Sequence, residues 1–226
     1  MILRVKTIAG NALALFIRRD SSAWHSLSRA YDQVKNHVRA LTKNSIFVEE
    51  QELQMCSLAH EKKLDLIMEL FHPASVLDVG CGTGRTLSYL RDNGVDAFGV
   101  EGSELAISRS KHPDYIRQHN LNRELNLGRR FDLVWCAEVV EHIHPRYEKH
   151  LLRTLMNHGD LIILTAAQPG QGGEGHFNEQ PFEYWIAKFR AREYSYDEST
   201  TLKLRAIPEP YSENILVFRR AKVGNQ

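Results

Sequence analysis

From Ser75 onward the chain alternates short, nearly continuous apolar runs with amphipathic segments, and this alternation limits the fold more than any other feature. "SVLDVG", "DAFGVE", "DYIRQ", "FDLVWCA" and "DLIILTA" have the length and β-branched content of strands buried on both faces. Between them "RTLSYLRDNG", "SELAISRSK" and "HPRYEKHLLRTLMNHG" carry helical spacing, with Gly94 and Gly159 as stops and Ser103 as an N-cap. Strands joined by helices form a parallel sheet covered on both sides, the doubly wound α/β class. After the helix "PFEYWIAKFRA" the pattern changes. "TTLKLRAI" (Thr200–Ile207) and "NILVFRR" are expected as an antiparallel pair at the sheet edge, making seven strands in all. Tyr184, Trp185 and Phe189 of that helix are expected in its packed face.

Residues 1–60 lack this alternation and read as a helical N-terminal extension, with Trp24, Leu27, Tyr31, Val34, Val38 and Leu41 on one stripe. The first 47 residues hold eight Lys or Arg against two Asp, a local +6 in a chain whose total is +1. The near-neutral total argues against a nucleic-acid partner, and a solvated helical face accounts for the basic arm. The opening "MILRVKTIAGNALALFIRRD" has an apolar stripe between basic ends, too short to span a bilayer. It suits a docking helix, with peripheral contact at a membrane surface or a transit peptide as the alternatives. Three cysteines without a C-x-x-C pair give neither a zinc site nor a disulfide framework, so a reducing, cytoplasmic setting is expected.

At the first strand-to-helix turn, "SVLDVGCGTGRTL", the glycines are spaced G-x-G-x-G (Gly80, Gly82, Gly84). A dinucleotide pyrophosphate favours G-x-G-x-x-G with the phosphate on the helix N-terminus. Here Asp78 sets a negative charge beside that point, which disfavours phosphate and suits an ammonium or sulfonium ligand. Glu101 ends the next strand, where a carboxylate meets ribose hydroxyls. Together these features argue for an adenosine-type cofactor bound through backbone.

"VLDVGCGTG" with Glu101 resembles the class I S-adenosylmethionine-dependent methyltransferases, over about Asp65 to Phe218. The resemblance implies a Rossmann-like domain over residues 61–226 with S-adenosyl-L-methionine as cofactor. It also implies that Asp78, Gly80, Cys81, Gly82 and Gly84 line the cofactor, that Glu101 with Gly102 holds the ribose, and that Asn120 of "HNLNREL" faces the adenine. "FDLVWCAEVVEHI" resembles the fourth motif of the family, whose strand end, Cys136, borders the reactive methyl.

Methyl transfer asks the protein to align a nucleophile and, for a hydroxyl acceptor, to take its proton. His142 is the leading base, with His176 and Glu138 in support. If a helical turn begins at Glu138, then Glu138, Glu141 and His142 share one face. Gln168 to Gly175 is glycine-rich and is expected as a mobile loop over the site. "AEVVEHI" and "GQGGEGHFNEQPFEYWI" resemble small-molecule and sugar methyltransferases, which implies methylation of a metabolite or glycan precursor, at oxygen in preference to nitrogen. Two alternatives stand beside it. Glu138, Glu141, His142 and His176 match by type and order the metal ligands of small-RNA 3′-terminal 2′-O-methyltransferases. The chain could also be a non-catalytic scaffold that binds the cofactor and uses residues 1–60 as a contact surface.

Overall fold

The computed structural model describes residues 60–173 and 175–221, so the expectations for the N-terminal extension lie outside the described residues. The first helix among the described residues, α1 (Glu61–Phe71), packs Leu64 and Ile67 inward and ends at His72 in the left-handed conformation. Alternation then runs as expected: β1 (Ser75–Val79), α2 (Arg85–Asp92), β2 (Asp96–Glu101), α3 (Glu104–Ser108), β3 (Ile116–Gln118), β4 (Leu133–Cys136), α4 (Glu148–His158) and β5 (Leu161–Thr165). The Ser103 hydroxyl accepts the Ala106 amide at 3.1 Å, so α3 starts at the anticipated cap. The chain closes with α5 (Phe182–Arg190), β6 (Tyr194–Tyr196), α6 (Glu198–Arg205) and β7 (Ile215–Arg220).

The sheet order is β3-β2-β1-β4-β5-β7-β6. β3, β2, β1, β4 and β5 pair in parallel, while β7 runs antiparallel to both β5 and β6. Two apolar cores sit on opposite faces, as a period of two along each strand requires. Val76, Leu133, Trp135 and Ile163 pack beneath α1, α2 and α6. Leu77, Val79, Val134 and Leu164 face α4 and α5, where Trp185 and Phe189 are fully buried. Among the described residues no helix is long and apolar enough to cross a membrane.

One expected strand is a helix. Thr200–Ile207 falls largely within α6, and the edge partner of β7 is the three-residue β6. Alternating Leu and Lys in "TLKL" imitates a half-buried strand, but Asp197 determines the outcome. Its carboxylate accepts the Thr200 amide at 3.0 Å and the Thr200 hydroxyl at 2.8 Å, capping a helix that buries Thr200, Thr201 and Leu204. Leu202, on the other side, is 57% exposed.

Candidate active site

Ligands of open α/β sheets bind beyond the carboxyl ends of the parallel strands, and there the chain makes two abutting half-sites. The first is built from backbone. Gly80, Gly82 and Gly84 all have positive φ, at 77°, 54° and 73°. The Gly80 and Cys81 amides donate to the Val100 carbonyl of β2, at 2.8 and 3.1 Å. Glu101 then reaches back. Its carboxylate accepts the Gly82 amide at 3.0 Å and the Ser103 amide at 2.7 Å, bracketing Gly102. The end of β2 and the glycine turn are therefore coupled by one side chain.

Asp78 is 4% exposed, and its Oδ2 has no hydrogen-bond partner. Burial, reinforced by the nearby charge of Glu101, pushes its carboxyl up to about 8. A buried acceptor left open in this way is rare unless something completes it. The Cys81 thiol tucks toward β2, where a Cβ on Gly99 would lie 2.7 Å from Sγ. Cys136, at the end of β4, is fully buried, and burial raises its thiol well above the ordinary value. The Asn120 Oδ1 accepts the Asn122 amide at 2.9 Å, a local turn that fixes the side chain expected at the adenine.

The second half-site is built from side chains on the loops after β4 and β5. No helical turn begins at Glu138, which is left-handed at φ 55°. The turn starts later, as a single 3₁₀ turn over Val140–His142, so the shared face expected for Glu138, Glu141 and His142 does not form. Thr165 holds Glu138 in its uncommon backbone conformation: its hydroxyl accepts the Glu138 amide and donates to Oε1, both at 2.7 Å. Burial raises the Glu138 carboxyl, with His176 and Lys63 pulling the other way. Glu141 is fully buried without a hydrogen-bond partner for either carboxyl oxygen; burial, then Glu138, pushes it up to about 8. Its backbone carbonyl accepts the Phe177 and Asn178 amides, at 2.8 and 3.0 Å, and so anchors the segment that carries His176.

The imidazoles of His142 and His176 meet edge to face with centroids 4.9 Å apart. His142 Nδ1 lies 3.1 Å from the Gly175 carbonyl, which can only accept, so Nδ1 carries the proton. Burial and the neighbouring His176 push His142 down to about 4. His176 Nδ1 lies 2.9 Å from Glu179 Oε1. Burial would raise Glu179, but His176 and the amides of Gly170 and Gly172 outweigh it and hold its carboxyl below the usual range. The glycine loop expected to be mobile is thus fastened to Glu179, and the Gln171 Oε1 also accepts from Asn214 at 3.0 Å.

The two half-sites share a wall. A Cβ on Gly80 would lie 2.4 Å from the Val139 side chain, so the segment leading to His142 packs directly on the glycine turn. Glu138, Glu141, His142 and His176 are brought close, as either catalytic reading requires. Among the described residues, however, no group of three or more His, Cys, Asp or Glu is disposed to hold a metal ion. Sequence reasoning gave no role to Thr165, Glu179 or Lys63. Lys63 is fully buried on α1, donating to the Pro210 carbonyl at 2.6 Å. Only Glu179 had a signal, a carboxylate three residues after His176.

This combination of sheet order, glycine turn and strand-end carboxylate defines the class I S-adenosylmethionine-dependent methyltransferase architecture. The family described as the methyltransferase domain matches residues 48–206, and the chain belongs to it. The dTDP-3-amino-3,6-dideoxy-alpha-D-glucopyranose N,N-dimethyltransferase of Streptomyces fradiae is 48% identical over 69 residues, 28% of this chain and 26% of that protein. The ubiquinone biosynthesis O-methyltransferase of Coxiella burnetii (strain Dugway 5J108-111) is 35% identical over 75 residues, 30% of this chain and 32% of that protein. The chain therefore spans about a quarter to a third of the length of these curated relatives. In fold it is similar to S-adenosylmethionine-bound CalS10, an amino pentose methyltransferase from Micromonospora echinaspora. The TM-score is 0.59 at 14% identity, covering 78% of this chain and 99% of that one.

Proposed function

We propose that this chain is an S-adenosylmethionine-dependent methyltransferase that methylates a hydroxyl of a small polar acceptor, a metabolite or glycan precursor. The observation that carries the reading is the His142–His176 pair, 4.9 Å apart, on a segment whose Val139 packs against the glycine turn. Both Nδ1 atoms are engaged by protein acceptors, which leaves the lone pair of each ring on Nε2, the atom that would take a hydroxyl proton.

The residues present fit the cofactor. The open Oδ2 of Asp78 offers a partner to its ammonium, the glycines leave room for close backbone approach, and Glu101 has a carboxylate for the ribose. Asp78, Gly80, Gly82, Gly84 and Glu101 would hold it, with Asn120 toward the adenine. When bound it supplies an activated methyl group, so the protein needs no covalent step. This chain's work is then positional. Thr165 positions Glu138, Glu179 fastens the loop through the Gly170 and Gly172 amides, and an imidazole takes the hydroxyl proton.

Calorimetry with S-adenosylmethionine tests the cofactor half. Glu101→Ala is expected to weaken binding about 10- to 100-fold, since the charge-assisted hydrogen bonds from the Gly82 amide of the turn and from the Ser103 amide vanish. Undiminished binding would remove the ribose assignment. Formation of S-adenosylhomocysteine with a panel of hydroxyl and amino acceptors tests the rest. Turnover confined to amines would move the reading to N-methylation, the chemistry named for the Streptomyces fradiae relative. Tight binding with no turnover on any acceptor would favour a scaffold.

A further inference from the structure

The two imidazoles of the acceptor half-site differ in what stands behind them. His142 Nδ1 faces a neutral carbonyl, that of Gly175, at 3.1 Å. His176 Nδ1 faces a carboxylate, Glu179 Oε1, at 2.9 Å. Either acceptor fixes the tautomer with the proton on Nδ1 and the lone pair on Nε2. Only the carboxylate also stabilises the positive ring that forms when a proton arrives at Nε2.

Glu179 is held for this role. Oε1 also accepts the Gly172 amide at 2.7 Å, and Oε2 accepts the Gly170 amide at 2.8 Å. Both glycines have positive φ, 72° at Gly172 and 85° at Gly170, which turns these amides toward one carboxylate. The dyad is sheltered, with side-chain exposures of 11% for His176 and 18% for Glu179. Gly173 lies against the imidazole: a Cβ there would come within 2.4 Å of Nε2. One carboxylate thus orders both the ring and the loop beside it. Burial meanwhile holds His142 neutral.

We propose that Glu179 is a positioning residue that makes His176, rather than His142, the acceptor of the substrate's hydroxyl proton. This rests on the methyltransferase reading above. As the acceptor oxygen bonds to the methyl carbon, the methyl–sulfur bond breaks with its electron pair left on the sulfur of S-adenosylhomocysteine, and the hydroxyl proton passes to His176 Nε2. The imidazolium is balanced by Glu179 and returns its proton to water after product leaves. No oxidant or reductant enters.

Ring ¹⁵N spectra of the full chain test the pairing without any acceptor. The expected result is an Nδ1-protonated His176 with an unprotonated Nε2. Glu179→Gln is expected to lose this preference and Glu179→Asp to keep it in part. A wild-type His176 protonated on Nε2 would overturn the proposal. Turnover tests the consequence, with catechol as the hydroxyl probe and glucosamine as the amino probe. Glu179→Gln and His176→Gln should each lower kcat about 10²-fold, leave S-adenosylmethionine affinity within about twofold, and fail to add when combined. A residue that merely fastened the loop would instead raise KM and keep its full effect in the His176→Gln background, which would also overturn the proposal. If neither probe turns over although cofactor binds, that result weighs against the hydroxyl-acceptor reading, and the ring spectra still decide the pairing.

Discussion

The two half-sites are made by different means. The cofactor half, from Asp78 to Ser103, closes on itself within one β-α-β unit. Its defining contacts are backbone amides, positive-φ glycines and one returning carboxylate. The acceptor half joins groups that are remote in sequence. Glu138 depends on Thr165, 27 residues on, and His142 on Gly175, 33 residues on. Backbone requirements leave a spacing in the sequence that almost no other need produces. Side chains meeting across loops leave only residue types, which many unrelated arrangements share.

Gly80→Ala gives the sharpest break of this contrast. The new Cβ would lie 2.4 Å from Val139 at a φ of 77°, so overpacking and left-handed strain act together. A stability loss of roughly 2–4 kcal/mol is expected, with cofactor binding falling below detection in calorimetry. Adding Val139→Ala should return part of the stability, because it relieves the clash and leaves the strain. If Gly80→Ala binds cofactor normally, the turn is not built by its backbone, and the distinction between the halves collapses. Glu179→Gln supplies the mirror case: turnover falls while cofactor affinity stays.

The same contrast explains what the sequence revealed. The strand and helix alternation, the turn and the place of Glu101 were legible because each follows from a local period or a glycine spacing. Trp185 and Phe189 were legible as core for the same reason. The Thr200–Ile207 segment misled because its Leu/Lys alternation satisfies a period of two over four residues. The helix is chosen instead by Asp197, one residue before its start. The face expected for Glu138, Glu141 and His142 failed on one backbone angle at Glu138, fixed by a threonine on a different strand. Nothing in a linear pattern announces such a partner.

A smaller effect separates the halves by charge. Asp78 sits at about 8 in the fold against an ordinary 3.8, so between those values the native state holds a proton that the unfolded chain has released. Stability of the ligand-free protein from this group therefore falls as pH rises from about 4 toward 8. A cationic ligand group prefers the ionised carboxylate. Affinity for S-adenosylmethionine should then rise by up to about tenfold per pH unit within that window, and binding near pH 7 should release about one proton. Calorimetry in buffers of different ionisation enthalpy measures the release, and Asp78→Asn should abolish it. Release that persists in Asp78→Asn would shift the titration to another group, with Glu141 the next buried carboxyl at about 8.

The smallest effect is expected at Cys81, in the middle of the glycine turn. Its amide donates to the Val100 carbonyl, while its thiol packs onto Gly99, where a Cβ would come within 2.7 Å, and donates weakly to the Gly82 carbonyl at 3.9 Å. Alanine supports the same backbone and the same amide hydrogen bond, so Cys81→Ala removes packing against β2 and the weak thiol hydrogen bond to the Gly82 carbonyl. A stability loss of about 1 kcal/mol by thermal or urea unfolding is expected from the lost sulfur contact. Cofactor affinity should stay within about twofold, because no ligand-facing group has changed. A tenfold loss of affinity would place the thiol against the cofactor and make the turn, too, a site assembled from side chains.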